Sequence, residues 1–328
     1  MATTYIQSSQ GTTLLASFMR GLGEIRIAHP ANTFALTPAS LIALQTIAEN
    51  QQLLAGNGLD WGSGTGCLAV AAAKIPAVQK VLGLEVSEVN VTVAQKNARS
   101  NGVEHKTGFL VSDSYSPVSA TDRLVLNTFV GQTDFILANP PASEGDDGFG
   151  CRRRVLSGAR QFLVRGGRVF LGVSSQYGQC RVEGLCDEVA DFTYGGILAS
   201  TDWVPFDLRR ADLLQCLNLY AVEEGRGGLD YVFYDPGANG DARMNARSAL
   251  ARFNSTGESP LMKWQTQLFE FGGMRIERDE APDRETGQAA GASRRNVTCH
   301  LRRHPSAKAS RLIMSLCSSQ STRLKQTF

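Results

Sequence analysis

From residue 36 to about residue 235 the chain alternates helix-length amphipathic stretches with short apolar runs, the mark of a parallel sheet with helices on both faces. Thr37-Pro38-Ala39-Ser40 opens a helix that runs to about Asn50, with Pro38 in the first turn, where its missing N–H costs nothing. Residues 57–60 predict the end of a first strand and 65–74 the helix after it. Residues 81–85 predict a second strand, and 88–100 a helix closed by Asn101-Gly102. A third strand is expected over 109–111, ending near Asp113, and a fourth over 134–138, running into Asn139. Residues 152–164 carry apolar positions at helical spacing stopped by Gly166-Gly167, and 169–173 form the fifth strand. Beyond it, 213–222 supply a helix or strand and 231–234 the closing strand. The chain has no internal repeat.

In such sheets ligands bind beyond the carboxyl ends of the strands. The four predicted ends carry Asp60, Glu85, Asp113 and Asn139, three carboxylates and an amide along one edge. Between the first strand and its helix, Gly62, Gly64 and Gly66 allow positive φ and close approach of backbone to a ligand. The helix that follows would turn its N-terminal N–H groups toward a ligand carboxylate. Glu85, about twenty residues past the last glycine, suits a ribose, which also fits a dinucleotide in a dehydrogenase. Two features favour another nucleotide-type cofactor. Asp113 on the third strand suits an adenine amino group, and Asn139-Pro140-Pro141 follows the fourth. Consecutive prolines fix φ and remove two N–H donors, which leaves their carbonyls and the Asn amide oxygen as a pre-set acceptor cluster. Such a cluster can hold a planar –NH2 by its hydrogens and turn the nitrogen lone pair toward an electrophile, so that orientation and electrostatics carry the chemistry. The bland reading is a rigid turn leaving the sheet.

Asp60-x-Gly-x-Gly-x-Gly, Glu85, Asp113 and Asn139-Pro140-Pro141 together resemble the motifs of class I S-adenosylmethionine-dependent methyltransferases, in the subgroup carrying Asn-Pro-Pro-Tyr/Phe. Asp147-Gly148-Phe149, Arg152-Arg153, Gly166-Gly167 and Val169-Phe170-Leu171 are similar to the segment after that motif in the HemK-like glutamine methyltransferases and the small methyltransferase RNA enzymes. The likeness covers roughly residues 33–175. It implies a Rossmann-like α/β fold with a mostly parallel seven-stranded sheet, and methyl transfer from S-adenosylmethionine to an amide or exocyclic nitrogen of a protein or RNA. By the same resemblance Asp60, Gly62, Gly64 and Gly66 line the methionine part of the cofactor. Glu85 takes the ribose hydroxyls and Asp113 the adenine edge, while Asn139 and the Pro140 carbonyl take the substrate nitrogen.

The chain departs from the family pattern twice. Ala142 stands where the subgroup has its stacking aromatic, and Thr37 and Ala39 replace the Arg and Glu of the glutamine enzymes' Arg-Pro-Glu-Thr stretch. Two alternatives therefore stay open: methylation of a small metabolite, and a catalytically silent methyltransferase-like module that binds RNA or protein. Phe149 is read either as a substitute stacking face or as a buried anchor for the next helix. Arg152-Arg153-Arg154 offers phosphate contacts near the site, spread over about 200° of a helix.

Composition narrows the picture further. The 328 residues, 42% of them apolar, can fill a core, and no apolar run approaches the roughly twenty residues that cross a bilayer. Seven cysteines without a Cys-x-x-Cys pair point to reduced thiols in the cytoplasm and to no metal site. The first 23 residues, free of acids and holding one Arg, only faintly resemble an organelle transit peptide. The net charge of +2 hides an asymmetry: residues 291–328 carry eight Lys and Arg and no acid, which leaves −6 for the rest. Residues 1–35 are therefore expected as a short, helical N-terminal extension, 36–274 as the methyltransferase domain, and 275–328 as a flexible basic tail able to touch RNA.

Overall fold

The computed structural model describes residues 4–272 apart from 32, 34, 142–146 and 239–241. The basic tail and Ala142 lie outside the described residues. Seven principal strands form the central sheet: β1 (Gly56–Trp61), β2 (Val78–Glu85), β3 (Thr107–Asp113), β4 (Thr133–Ala138), β5 (Leu163–Ser174), β6 (Phe192–Ser200) and β7 (Trp264–Phe271). Their order is β6-β7-β5-β4-β1-β2-β3, and a two-residue strand, Ser116–Pro117, extends the β3 edge. Pairing is parallel from β3 through β5 and antiparallel where β7 inserts between β5 and β6. The mostly parallel seven-stranded sheet expected from the sequence is thus present.

Each face of the sheet buries its own apolar set, because successive side chains of a strand point to opposite sides. On one side Ile136, Ala138, Leu171 and Val173 pack under α4 (Gly150–Phe162) with Val155, Leu156 and Phe162. On the other, Phe135, Leu137 and Phe170 meet the alanine-rich α2 (Cys67–Ala73) and Ile47 and Ala48 of α1 (Pro38–Glu49). α1 starts where expected: Thr37 caps it, its hydroxyl accepting from the Ser40 N–H in a capping box, with Pro38 in the first turn. α3 (Glu88–Ser100) ends at Asn101, with Gly102 at φ +69°.

Three expectations are corrected. Residues 1–35 are not helical where described: Tyr5–Gln7, Gly11–Leu14 and Ile25–Ala28 form a three-stranded antiparallel sheet. Two asparagines of α3 bind this sheet's last strand as another strand would. Asn101 accepts from the Arg26 N–H at 3.0 Å and donates to the Arg26 carbonyl at 2.7 Å, and Asn97 does the same for Ala28 at 2.9 and 3.0 Å. Gly166-Gly167 does not stop the helix, which already ends at Phe162; the pair lies inside β5. Finally, Phe233–Tyr234 is not the closing strand. It belongs to a separate four-stranded sheet within residues 201–263, an insertion between β6 and β7 that also contributes α5 (Ala211–Gly225) and α6 (Ala246–Thr256). β7 closes the central sheet instead, because Trp264–Phe271 has the long, centrally buried pattern that a two-residue strand lacks.

Candidate active site

All four predicted strand ends reach the same edge of the sheet, and they fall into two clusters. The first surrounds the glycine loop. Gly62 and Gly64 sit at φ +68° and +53°, and a Cβ built on either would meet no atom within 4 Å, so both present bare backbone to open space. Gly66 differs. At φ +82° it caps α2, and a Cβ there would lie 2.9 Å from the Ala94 Cβ and 3.0 Å from the Phe109 ring. Close packing dictates glycine at 66, whereas at 62 and 64 the positive φ alone favours it.

Two buried carboxylates hold this loop from behind. Asp60 is 1% exposed, and its Oδ2 accepts from the Ala69 N–H at 3.0 Å in the first turn of α2. Its Oδ1 is buried without a partner among the described residues. Burial pushes the Asp60 carboxyl up to about 7, offset in part by the Ala69 N–H and reinforced by the neighbouring charge of Glu85. Asp60 therefore braces the loop from within instead of lining it, and one of the helix N–H groups expected to meet a ligand is already engaged. Glu85 accepts from the Gly64 N–H at 2.9 Å through Oε2, and from the Ser87 N–H at 2.9 Å and the Asn90 amide at 3.2 Å through Oε1. A carboxylate has about four acceptor positions, so one remains. Asp113 stands apart, its side chain 77% exposed and 3.6 Å from the Arg154 guanidinium. Beside it Ser114, at φ +56°, accepts from the Trp61 indole N–H at 2.8 Å.

The second cluster surrounds Asn139-Pro140-Pro141 at the end of β4. A Cβ on Gly172 of β5 would fall 2.5 Å from Asn139 Oδ1, so the half-buried amide rests on bare strand backbone. Beneath it lies Arg152, 2% exposed, which does not meet phosphate as anticipated. Its guanidinium donates to four carbonyls, those of Gly172 (3.2 Å), Gly148 (3.1 Å), Pro141 (3.4 Å) and, most weakly, Pro140 (3.5 Å). The fixed fork of five N–H donors can serve several backbone oxygens at once, which an ammonium cannot do in one plane. The rings of Phe149 and Tyr177 flank the cation at 5.7 and 5.3 Å from their centroids.

Arg153 and Arg154 are engaged as well. Arg153 makes a two-pronged pair with Asp147 and also reaches Glu188, while Arg154 meets Asp113. Burial works to raise the Asp147 carboxyl, but hydrogen bonds from Arg153 and the Phe149 N–H, with the charges of Arg153 and Arg181, hold it below its ordinary range. Phe149 is the buried anchor: 1% exposed and edge-on to Tyr177 at 4.6 Å. Tyr177 in turn shares a 2.9 Å hydroxyl contact with Tyr220, which stacks on Tyr231 at 4.0 Å. Sequence reasoning placed Arg152 near the site but gave it the wrong partner, and it missed Tyr177, Tyr220 and Tyr231. The adjacency of Arg152 to the Asp147-Gly148-Phe149 motif was the available signal; nothing in the sequence marks the tyrosines.

The arrangement suits a nucleoside cofactor bearing an amino acid: two glycines open to approach and a remaining acceptor position on Glu85. Comparison with known proteins gives the family. Residues 25–191 match the family described as the methyltransferase small domain. A release factor glutamine methyltransferase of Thermodesulfovibrio yellowstonii is 26% identical over 42% of this chain and 54% of its own length. A ribosomal protein L11 methyltransferase of Pseudomonas putida is 30% identical over 53% of this chain and 51% of its own. The chain thus spans about half the length of the curated relatives it matches. Among solved structures, a methyltransferase from Pyrococcus furiosus aligns over 76% of this chain and 90% of its own, at 16% identity and a TM-score of 0.42. With half of its residues matched, this chain belongs to the methyltransferase small domain family.

Proposed function

We propose that the chain is an S-adenosylmethionine-dependent N-methyltransferase whose acceptor is a planar amide or exocyclic –NH2 of a protein or RNA. The observation that carries this reading is the Asn139 amide, set on the bare backbone of Gly172 above four carbonyls gathered by a buried guanidinium, on the same sheet edge as the open glycines. The relatives' names point the same way, since they act on a release factor glutamine and on ribosomal protein L11.

When bound, S-adenosylmethionine supplies an electrophilic methyl group. Gly62, Gly64 and Glu85 would hold its amino-acid and ribose parts, with Asp113 near the adenine once it turns from Arg154. Asn139 Oδ1 accepts one N–H of the acceptor nitrogen and the Pro140 carbonyl the other. The Pro140 oxygen has a lone pair to spare, because its contact with Arg152 is long. Holding both hydrogens in the amide plane leaves the nitrogen lone pair perpendicular to it, and the same two oxygens stabilise the positive charge that grows on nitrogen. Arg152 fixes the loop and touches neither reactant.

Titration calorimetry with S-adenosylmethionine, S-adenosylhomocysteine and NADH, followed by transfer of labelled methyl to protein, RNA and small-molecule fractions of a cell extract, tests the proposal. Heat with the first two and label on protein or RNA are expected. Heat with NADH alone overturns the cofactor assignment. Binding without transfer to any fraction favours a silent module, the reading that Ala142 supports.

A further inference from the structure

A second cavity, of about 340 Å³, opens beyond the end of β5 between Ser174 and Ser175, the Gln265 and Gln267 side of β7, and Trp203, Tyr234, Arg243 and Lys263 of the insertion. Its size falls in the range of small-ligand sites. Its chemistry is one-signed: two cations line it and no acid does, and among the described residues neither Arg243 nor Lys263 has a carboxylate partner. Lys263 is held at the rim by its backbone, which exchanges two hydrogen bonds of 2.8 Å with Ser175, and its Nζ lies 4.5 Å from the Trp203 ring centroid. Trp203 and Tyr234 pack at 4.1 Å with their planes tilted by 41°, giving the cavity an aromatic wall. Gln267, 1% exposed, donates its amide to Gln265 Oε1 at 3.0 Å and accepts from the Tyr194 hydroxyl at 2.9 Å. That chain of bonds fixes the Gln265 amide with its –NH2 as the end left over, one more donor for an anion.

We infer that this cavity binds a nucleoside phosphate, the phosphate between Lys263 and Arg243 and the base along the Trp203–Tyr234 wall. Cation, amide donor and aromatic wall in one small cavity fit an anion tethered to a planar ring better than either alone. The site is separate from the glycine loop, which lies on the other side of β4, and four of its defining residues come from the 201–263 insertion, beyond the residues 25–191 that the family shares. The inference concerns binding and stands whether or not Asn139 supports methyl transfer. The ligand's source is either a free nucleotide or one unit of an RNA strand.

The test uses the full chain saturated with S-adenosylhomocysteine, titrated with adenosine and uridine monophosphates, inorganic phosphate and a hexaribonucleotide. Nucleotides are expected to bind more tightly than inorganic phosphate. The double variant Lys263→Gln/Arg243→Gln should weaken them about tenfold or more, as for loss of charge-assisted hydrogen bonds, and Trp203→Ala should bring nucleotide affinity down to that of phosphate. Affinity for S-adenosylhomocysteine should be unchanged in both variants, which separates local loss from misfolding and from failure of the cofactor reading. Tighter binding of the hexamer, with a steeper salt dependence, assigns the site to a strand; equal binding assigns it to free nucleotides. Absence of binding by every nucleotide and by the hexamer, or binding that the double variant leaves intact, overturns the inference.

Discussion

The two halves of the sheet edge are built on opposite plans. Around β1 and β2 the loop is braced by carboxylates that accept from nearby backbone: Asp60 reaches Ala69 and Glu85 reaches Gly64. Around β4 and β5 it is braced by a guanidinium that donates to carbonyls, with Arg152 gathering Pro140, Pro141, Gly148 and Gly172. The carboxylates take up the nearby N–H groups and leave bare glycine and one acceptor position on Glu85, which suits a ligand with a hydroxyl to donate. The guanidinium fixes carbonyls and leaves an amide oxygen outward, which suits an acceptor nitrogen with hydrogens to give. The two plans differ in the brace, acid on one side and base on the other, and agree in leaving an oxygen free to receive a hydrogen.

The sharpest way to break this contrast is Asn139→Ala. Loss of one pre-organised polar group should lower the methyl-transfer rate roughly 10²- to 10³-fold while cofactor affinity changes little, as single-turnover rates and calorimetry would show. Gly172→Ala should give a similar phenotype from the other side, since its new Cβ would displace the amide. Equal activity of Asn139→Ala and the parent would reduce the Asn-Pro-Pro segment to a rigid turn.

Next in size comes Arg152. Arg152→Met strands buried carbonyls at about 1–3 kcal/mol per acceptor left unpaired, so the thermal midpoint should fall by several degrees and turnover with it. Arg152→Lys keeps the charge but not the fork, and should recover part of the midpoint and little of the rate. A rate that follows the midpoint in both variants would mean that Arg152 serves the fold alone.

Glu85→Ala acts on the other half and should weaken cofactor binding by about 1.5–3 kcal/mol, the range for a hydrogen bond to a charged group, without lowering the rate at saturation. The smallest effect on turnover belongs to Asp60, which acts through stability. With its folded pKa near 7 against an ordinary 3.8, the protonated carboxyl contributes stability that is full below the ordinary value and lost as pH rises through about 7. Asp60→Asn should flatten the change of midpoint between pH 4 and 7, and a wild-type midpoint that climbs across that window would contradict the buried, partnerless Oδ1.

The legibility of the two halves differs for the same physical reason. Asp60, the glycines and Glu85 lie within one strand-helix-strand unit, and their spacing follows from the geometry of that unit. Arg152 reads as one of three consecutive arginines; only the return of β5 beside β4 puts Gly172 and the prolines within its reach. Tyr177, Tyr220 and Tyr231 come from three separate segments that meet only after the insertion folds onto the sheet. Residues 231–234 read as the closing strand because helix and strand go on alternating through the 201–263 insertion, while the central sheet resumes only at Trp264. The three glycines illustrate the limit within one motif, since their shared letter hides that 62 and 64 face open space while 66 faces Phe109.

Asn97 gives the N-terminal sheet a part in the life of the glycine loop. The same side-chain amide that donates to the Ala28 carbonyl also donates to Thr65 at 2.8 Å, inside the loop. One buried amide thus rivets the last strand of the N-terminal sheet to the segment between Gly64 and Gly66. Opening at either end loosens the amide that the other end shares, so the amide-hydrogen exchange of residues 25–28 and of the segment around Thr65 should be coupled. Protein trimmed of its first thirty residues would keep every strand of the central sheet and yet hold its glycine loop less firmly.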